Sequence, residues 1–332
     1  MEGAHWLGNL LRQTRQQARR RKAESNELMI PPVMIFSITE QCNLKCKACY
    51  AAKGMDRETE ELSLERIRKL FYEASELGVG VIMIAGGEPL MRPEILWAAS
   101  EHRNVIFPVF TNGLMLNEGS LAYFKHNRNL VPILSIEGNR QFTDQRRGKG
   151  VYSQLISTME KLQQSRRLFG ISITLTRENF NELSHPDWLQ QQHKLGSRLF
   201  FLVEYMPQSE ADMELCLTEA QKKLLPATLE KLRKHLPALF VSLPGDEAQY
   251  GECLAAGRGF VHVSAVGSLE PCPFAPYSDI NIRNISLKQA LHSRFLNRIR
   301  ESHHLLGEAK GECRLWENGS WVEQLLAPEI AH

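Results

Sequence analysis

The sequence predicts an α/β fold with a parallel sheet, followed by a smaller second domain. Over residues 33–206, short apolar segments of β type alternate with longer amphipathic segments of helical period. Strands that alternate with helices in this way form βα units and a parallel sheet. Beyond residue 236 the apolar segments shorten, glycine and proline become denser and three cysteines recur, which indicates a separate small domain. The 332 residues are enough for one large domain and an appendage.

Six strands are predicted in the larger domain, over residues 33–38, 79–85, 105–111, 130–136, 170–176 and 199–206. The helices between them are predicted over residues 63–77, 93–102, 119–126, 151–166 and 185–195, and a further amphipathic helix over 217–236. Ser63 is the expected N-cap of the first helix. Parallel sheets hold ligands at the carboxyl ends of their strands, so the segments that follow these strands form the predicted ligand edge.

The remaining elements define the predicted boundaries. Two short strands over residues 259–266 and 268–270 are expected to form a hairpin at Gly267, and a helix is expected from about 286 to 303. We therefore predict a basic N-terminal helix in residues 1–30, a core domain in 31–236 and a second domain in 237–332.

The bulk composition is that of an ordinary globular protein, with 43% hydrophobic and 23% charged residues. No apolar run approaches the roughly 18 residues of a membrane span. The total of seven cysteines is odd and no secretory signal is present, so free thiols in a reducing cytoplasm are expected.

The first 24 residues are basic, with six Arg or Lys residues against two Glu. Trp6, Leu7, Leu10 and Leu11 share one helical face. Such a helix could rest on an anionic membrane or an RNA. We favour a solvated helix that packs a few leucines on the main domain, because the apolar residues stop after Leu11.

Three cysteines follow the first predicted strand within eight residues: Cys42, Cys46 and Cys49, with the spacing C-x3-C-x2-C. Three thiolates on one loop can hold three irons of a [4Fe–4S] cluster and leave the fourth iron open to another ligand. A structural zinc site is the alternative. It usually takes four ligands in two separated pairs, and no His or Cys lies close by in the sequence to complete it.

Residues 37–50 resemble the cluster loop of the radical S-adenosylmethionine (radical SAM) superfamily. Many members carry an aromatic residue before the third cysteine, whereas here Ala48 precedes it and Tyr50 follows it. The resemblance implies a partial (β/α)6 TIM-like barrel over about residues 30–210. It also implies that SAM binds the open iron and is cleaved to a 5′-deoxyadenosyl radical, which abstracts a hydrogen from the substrate.

The segment that follows the second predicted strand, Gly86, Gly87, Glu88 and Pro89, is similar to the GGEP motif of this family. A glycine pair lets the backbone approach a ligand closely, and a carboxylate can accept a hydrogen bond from an ammonium group. In the family this motif contacts the methionyl amine of SAM. The motif lies 37 residues after Cys49.

Polar residues also end the other strands. Thr111 and Asn112 follow the third strand, and Ser135 and Glu137 at the end of the fourth resemble a family element whose side chains can reach the ribose hydroxyls. Arg147 could face a carboxylate, as similar arginines do in relatives, or be a surface arginine on a loop. Further candidates for the barrel interior are Thr174, Thr176 and Glu204.

The second cysteine set is Cys253, Cys272 and Cys313. The first two, with Gly267 between them, resemble the C-x9–15-G-x4-C opening of SPASM and twitch domains, which hold auxiliary [4Fe–4S] clusters. Trp316 stands where a fourth thiolate would be expected, and indole cannot bind iron. Three possibilities remain: an open iron, Cys216 as fourth ligand, or a group such as Asp246, Glu252 or His262. Three unrelated buried cysteines are the alternative to a cluster.

The resemblance implies an oxidoreductase-type enzyme with SAM and two clusters, supplied with electrons by flavodoxin or ferredoxin. We expect a small molecule or cofactor precursor as substrate, because about 30 residues before the first strand are too few for a leader-binding domain. A peptide maturase of the RiPP or sulfatase type, a methyltransferase or lipid- or RNA-modifying enzyme, and a non-catalytic iron–sulfur or zinc scaffold are the alternatives. Nucleic acid is disfavoured as a partner because no broad basic surface is indicated.

Overall fold

A nine-stranded sheet organises the protein in a computed structural model that describes residues 2–24, 28–52, 59–184, 186–207, 210–244, 246, 253–306 and 313–326. The strands are β1 (Val33–Ser37), β2 (Val81–Ala85), β3 (Phe107–Thr111), β4 (Leu130–Ser135), β5 (Gly170–Leu175), β6 (Leu199–Glu204), β7 (Leu239–Leu243), β8 (Phe260–Val263) and β9 (Leu269–Glu270).

The α-helices of the described residues lie between and beyond these strands. They are α1 (Glu2–Ala23), α2 (Leu64–Leu77), α3 (Pro93–Ser100), α4 (Glu118–His126), α5 (Arg140–Arg147), α6 (Val151–Gln164), α7 (Phe180–Ser184), α8 (Pro186–Lys194), α9 (Glu219–His235), α10 (Leu287–Ala290), α11 (Arg294–Glu301), α12 (Arg314–Glu317) and α13 (Gly319–Gln324). No described helix is both long enough and apolar enough to cross a membrane.

The strand order is β7-β6-β5-β4-β3-β2-β1-β8-β9, and every neighbouring pair is parallel except β8 and β9. The six predicted strands are β1 to β6, and the predicted hairpin is β8 with β9, turning at Gly267 with a φ of 95°. The sheet curls into a partial barrel, which confirms the predicted α/β fold class.

The two faces of the sheet bury different side chains. On the outer face, Phe36 of β1 and Phe107 of β3 meet Phe71 of α2, with ring centroids 6.0 and 5.2 Å from that of Phe71. On the inner face, Val131, Ile133 and Phe201 form a separate apolar cluster. Alternating side chains of a strand point to opposite faces, so this second cluster lines the interior of the half-barrel.

Some elements differ from the sequence prediction. The structure adds β7, α5 and α7, and it divides the helix predicted over 286–303 into α10 and α11. The division falls at Ser293, which accepts a hydrogen bond from the backbone of Leu296 as the N-cap of α11 and itself donates to Asp279. The single helix was therefore a wrong prediction, because serine competes for backbone groups and favours a cap.

Both edges of the parallel part of the sheet come from beyond residue 236. Strand β7 pairs with β6, and β8 pairs with β1 in a register that sets Ile35 beside His262. The division of the chain at residue 236 stays a prediction, but these pairings attach the later segments directly to the barrel.

Helix α1 docks through polar side chains at the corner between α2 and β2. Gln16 is buried and donates to the carbonyls of Ser75 and Val79, while Gln13 and Arg20 donate to Gly80 and Gly78. The helical prediction for this segment is confirmed. Packing of the predicted apolar face cannot be described, because the side chains of Trp6, Leu7, Leu10 and Leu11 lie outside the described residues.

Candidate active site

The loop that carries Cys42, Cys46 and Cys49 follows β1, and the glycine turn after β2 holds its first part. Gly87 N donates to the carbonyl of Thr39 and Glu88 N to that of Gln41, both at 2.7 Å. A side chain at Gly87 would overlap the Gln41 carbonyl, and Gly86 has a φ of 123°. Only glycine suits this close approach of two backbones.

The C-terminal end of α5 holds the other part of the cysteine loop. Lys47 N donates to the carbonyl of Arg146 at 2.8 Å, and the Arg146 guanidinium donates to the carbonyl of Ala48 at 3.4 Å. The sequence did not predict α5, so this second clamp was missed. The residue that could have indicated helix α5 in the sequence is Asn139, which caps the helix by accepting a hydrogen bond from Phe142 N.

A third set of contacts fixes the point where β1 enters the loop. Glu61 accepts hydrogen bonds from Thr39 Oγ1 and Glu40 N, both at 2.8 Å. Arg92 donates to Glu61 at 3.0 Å and to the carbonyls of Ile38 and Leu62. These contacts order the loop from the α2 and α3 side.

Glu88 lies beneath the loop with 0% exposure. Its Oε1 accepts from Leu90 N at 3.0 Å and Thr111 Oγ1 at 2.7 Å, and its Oε2 accepts from Asn112 N at 2.7 Å. Burial raises the pKa of Glu88, although these donors act in the opposite direction. Fully buried and held by three donors, the carboxylate ties the ends of β2 and β3 together beneath the loop.

Asn112 points toward the cysteine loop. Its Nδ2 donates to Asn43 Oδ1 at 2.7 Å and lies 4.0 Å from the Cys42 sulfur, while its Oδ1 accepts from Leu114 N. The structure therefore brings together the predicted residues of the first, second and third strand ends.

Glu137 is buried among cations at the end of β4. Its Oε1 lies 2.6 Å from Arg147 Nη2 and 3.4 Å from Arg146 Nε, and its Oε2 accepts from Thr174 N at 3.0 Å. The carboxylate is thus engaged by protein groups rather than directed at open space. Ser135 is half-buried on the interior face, beside Ser172 of β5.

Arg147 lies on α5 with its side chain only 12% exposed, in contrast to the surface-loop alternative for this residue. Burial alone would lower its pKa, but Glu137 and the thiols of Cys46 and Cys49 act in the opposite direction, and the pKa is raised. Its Nε atom is buried with no hydrogen-bond acceptor. A buried cation with an unused donor beside two thiols fits an anionic group bound at this loop.

The three thiols of the loop are accessible to different degrees. Cys42 is exposed, and Cys46 and Cys49 are half-buried. Burial raises the pKa of Cys42 and Cys46. Among the described residues, no three His, Cys, Asp or Glu side chains converge as around a single metal ion. In a [4Fe–4S] cluster each thiolate binds a different iron, so the three sulfur atoms lie farther apart than they would around a single metal ion.

The second cysteine set lies next to this loop. The hydrogen bond from Ala256 N to the carbonyl of Pro271, at 3.1 Å, brings the Cys253 and Cys272 segments together. Cys313 is the N-cap residue of α12. Tyr50 spans the two sets: its ring centroid lies 5.7 Å from that of Phe274, and burial, with Cys49 and Cys272 nearby, raises its pKa to about 12.

The proposed fourth ligands of this set have other contacts. Cys216 lies at the ends of β5 and β6, where its carbonyl accepts from Arg177 Nε. Asp246 pairs with Arg233 at 2.7 Å beside β7. Glu252 lies outside the described residues.

His262, the remaining candidate, uses both ring nitrogens within the protein. Its Nε2 lies 2.8 Å from Ser37 Oγ and its Nδ1 lies 2.6 Å from Glu270 Oε2. This arrangement could not be predicted from local sequence, because Ser37 and His262 are 225 positions apart.

Residues 36–185 match the model of the Radical SAM superfamily. Residues 36–185 therefore carry a radical SAM domain, whose family uses a [4Fe–4S] cluster and SAM as cofactors. The chain is 27% identical to the AdoMet-dependent heme synthase of Methanosarcina barkeri over 86% of this chain and 88% of that protein.

Two further matches are a maturase and a protein solved with a precursor peptide. The mycofactocin maturase MftC of Mycolicibacterium smegmatis is 26% identical over 91% of this chain and 74% of that protein. Streptococcus suis SuiB, solved with its precursor peptide SuiA, matches with a TM-score of 0.67 at 17% identity, over 87% of this chain and 70% of that chain. The structural match shows a shared fold.

Proposed function

We propose that this radical SAM enzyme oxidises a small molecule or cofactor precursor, and that Cys42, Cys46 and Cys49 hold its SAM-binding cluster. The observation that carries the proposal is the clamped cysteine loop at the carboxyl ends of β1 to β4. The glycine turn and the end of α5 hold this loop from two sides. That edge of a parallel sheet is where ligands bind.

When bound, the cluster and SAM supply a 5′-deoxyadenosyl radical for hydrogen abstraction. The chain positions the groups around it. The turn of Gly86, Gly87 and Glu88, whose backbone approaches the cysteine loop, is suited to the methionyl amine, and the largely buried cation Arg147, with its unused Nε–H, is suited to a carboxylate. Ser135, on the interior face, is suited to a ribose hydroxyl. Glu137 then acts by orienting Arg147 and Arg146.

We assign an auxiliary [4Fe–4S] cluster to Cys253, Cys272 and Cys313. Support comes from the hydrogen bond that joins the Cys253 and Cys272 segments and from the contact of Tyr50, next to Cys49, with Phe274, close to Cys272 in the chain. Asp246 and His262 are engaged by other protein groups, so the possibilities for the fourth iron are an open position, Cys216 and Glu252, and we propose the open position. The open iron is suited to bind substrate or an exogenous ligand.

The substrate class is argued from the relatives. The alignment with this chain covers 88% of the heme synthase, which supports a cofactor precursor as the substrate. A peptide is the second candidate, favoured by the mycofactocin maturase, which matches 91% of this chain. A reducing cytoplasm suits thiols that hold clusters, and flavodoxin or ferredoxin can serve there as reductant.

Iron content tests the cluster assignments. After anaerobic reconstitution, the wild type is expected to hold about seven to eight irons per chain, and Cys253→Ala or Cys42→Ala about four. Cys216→Ala is the matched control and keeps the wild-type content. Four irons in the wild type with no further loss in Cys253→Ala would contradict the auxiliary cluster.

Formation of 5′-deoxyadenosine from SAM with dithionite tests the chemistry. The wild type and Cys216→Ala are expected to form it, and Cys42→Ala is not. Fe-coproporphyrin III is the first substrate probe for the cofactor class. Faster formation of 5′-deoxyadenosine with a mass change in the porphyrin supports that class, and no change in either rejects the porphyrin.

A further inference from the structure

The segments that lead into the parallel strands carry exposed cations. Strands β1 to β8 are all parallel, so these segments lie at one edge of the sheet, which we call the amino edge. Those before β3, β4, β5 and β6 contribute Arg103, Arg128, Arg166 and Arg198, all exposed. Such cations also stabilise the carboxyl ends of the preceding helices, so they do not by themselves indicate a partner.

Helix α1 adds a basic groove to the amino edge. The helix docks on the carbonyls of Gly78 and Gly80, which lead into β2. A groove of about 370 Å³ lies between the helix and the segment before β3. Its polar lining residues are Arg15, Gln16, Arg19, Lys22 and Asn104. The three cations are spaced three or four residues apart and share one side of the helix. No acidic side chain of the described residues lines this groove, which therefore suits a phosphate group.

Acidic side chains near these cations are already engaged. Glu76 lies 3.4 Å from Arg19, and Glu101 lies 3.4 Å from Arg68. Glu24, which follows α1, accepts a hydrogen bond from the backbone of Ile30. The amino edge therefore keeps an excess of positive charge in a chain whose net charge is only +2. A partner that binds this edge is anionic.

Exposed aliphatic side chains lie at the same edge. Met29 before β1 and Leu168 before β5 are each 41% exposed, and Leu239, the first residue of β7, is 58% exposed. Their strands are spread across the sheet, so the three side chains are spread along the amino edge. Stabilisation of helix ends does not account for them.

This combination distinguishes between kinds of anionic partner. On an anionic membrane, cations attract the lipid headgroups and aliphatic side chains enter the boundary of the acyl chains. Proteins that bind single-stranded RNA instead present aromatic rings, on which the bases stack. Aliphatic side chains among cations therefore favour a membrane.

We infer that the amino edge and α1 form a docking surface for an anionic membrane, and that the groove of α1 takes the phosphate of a lipid headgroup. The sequence does not reveal this surface, because its cations come from separate loops. The loop of Cys42, Cys46 and Cys49 follows β1 at the opposite edge of the sheet, so docking keeps the lipid surface away from it. The inference goes beyond the proposed function and does not depend on the substrate.

Cosedimentation of the full reconstituted chain with lipid vesicles tests the inference. Vesicles of equal parts phosphatidylglycerol and phosphatidylcholine are expected to bind the chain at least about tenfold more tightly than vesicles of phosphatidylcholine alone. The double variant Arg15→Gln, Lys22→Gln is expected to bind the mixed vesicles about tenfold or more weakly, because it removes two cations from the groove. The double variant Leu168→Ser, Leu239→Ser changes no charge and is expected to weaken binding by about tenfold.

The double variant Lys149→Gln, Lys223→Gln is the matched control. Both lysines are exposed and lie toward the carboxyl ends of the strands, between α5 and α6 and in the second turn of α9. This variant loses the same charge and is expected to keep wild-type binding, and circular dichroism checks the fold of each variant. No preference for the mixed vesicles, or an equal loss in the control, would overturn the inference.

Polyuridylic acid is the probe for the competing class of partner. If the leucine variant keeps full binding to the mixed vesicles, the amino edge is a purely electrostatic site and the inference is overturned. Tighter binding to polyuridylic acid than to the mixed vesicles, unchanged in the leucine variant, would overturn it in favour of RNA. None of these measurements uses SAM cleavage, so their failure is distinct from failure of the proposed function.

Discussion

The Glu88 carboxylate is buried at the point where the ends of β2 and β3 meet, and it accepts three hydrogen bonds from the protein. Glu88→Gln replaces one acceptor oxygen by an NH₂ donor, which then faces either Asn112 N or Leu90 N. We expect the free energy of unfolding to fall by about 1–3 kcal/mol, the usual cost of leaving a buried polar group without a partner. Urea unfolding of the reconstituted protein measures it.

Glu118→Gln is the matched control for this substitution, because Glu118 is exposed in the first turn of α4. It is expected to change the unfolding free energy by less than about 0.5 kcal/mol. Equal effects of the two substitutions would show that the hydrogen bonds of Glu88 contribute no specific stability.

His102 introduces a pH dependence of stability. Burial lowers its pKa, with Glu101 acting in the opposite direction, and its ring packs edge-on against Phe71. The unfolded chain therefore binds a proton at a pH where the folded chain does not. Stability is expected to fall as the pH drops below about 6.5, the ordinary histidine value, and to level off below the folded pKa.

Urea unfolding at several pH values between about 7 and 5 measures this slope. His102→Asn is expected to make it shallower. Phe71→Leu, which removes the ring contact without adding or removing a titratable group, is expected to lower stability at every pH and to keep the slope. An unchanged slope in His102→Asn would contradict the assignment.

Residue roles were predictable where they depend on a short stretch of sequence. The spacing of Cys42, Cys46 and Cys49 and the Gly86–Gly87 pair can be read directly from neighbouring residues. The partners of Arg147 and His262 could not, because Glu137 approaches Arg147 across the end of a helix that was not predicted, and Ser37 approaches His262 only when β8 lies beside β1.

At the level of elements, the glycine turn after β2 and the cysteine loop after β1 behave as one unit. Gly87→Ala would place a methyl group on the Gln41 carbonyl, so the loop must shift away from the turn. We expect the variant to keep its fold but to hold less iron after reconstitution, with loss of 5′-deoxyadenosine formation. Iron analysis and circular dichroism on the same sample measure the two effects.

Gly119→Ala is the control for Gly87→Ala. Gly119 lies within α4, where its added methyl would contact only the Asn117 side chain at 3.3 Å, and alanine favours a helix over glycine. This variant is expected to hold as much iron as the wild type. Full iron content in Gly87→Ala would show that the turn does not hold the loop.

The order of strands and helices was predictable because their apolar periods differ, and β1 to β6 lie where the pattern places them. The short elements were harder to predict from the sequence. Helix α5 has a mostly polar sequence, RQFTDQRR, with little apolar periodicity, and its buried contacts come from ion pairs. Strand β7 was not predicted, although Pro237 precedes its five residues and Pro244 follows them.

At the scale of the whole molecule, long-range pairing joins the C-terminal segments to the barrel. Strand β8 extends the sheet at β1, and Arg66 of α2 donates to the carbonyls of Ile282 and Ile285, both at 2.7 Å. Local sequence patterns predict the barrel and the C-terminal segments separately, but not the contact between them. Parallel strands that are far apart in the sequence, such as β1 and β8, share no local pattern that would reveal their pairing. The two cysteine sets become neighbours only through this attachment.

Arg66 allows this attachment to be tested. Its side chain is 10% exposed and pairs at 3.3 Å with Glu73, which is 14% exposed and also accepts from Leu287 N. Arg66→Met keeps most of the volume but leaves two carbonyls and a carboxylate without a cationic donor. We expect a loss of about 3–5 kcal/mol in unfolding free energy, as for a broken buried ion pair.

Hydrogen exchange locates the effect of Arg66→Met. If the barrel and the C-terminal segments form one cooperative unit, amides of α2 and of residues 280–290 lose protection together. Arg68→Met is the control, because Arg68 also lies on α2 but forms an exposed pair with Glu101 at 3.4 Å, and such pairs contribute at most about 1 kcal/mol. Faster exchange in residues 280–290 alone would instead show that the C-terminal segments open independently, and Cys253 and Cys272 could then separate from the loop of Cys42, Cys46 and Cys49 while the barrel stays folded.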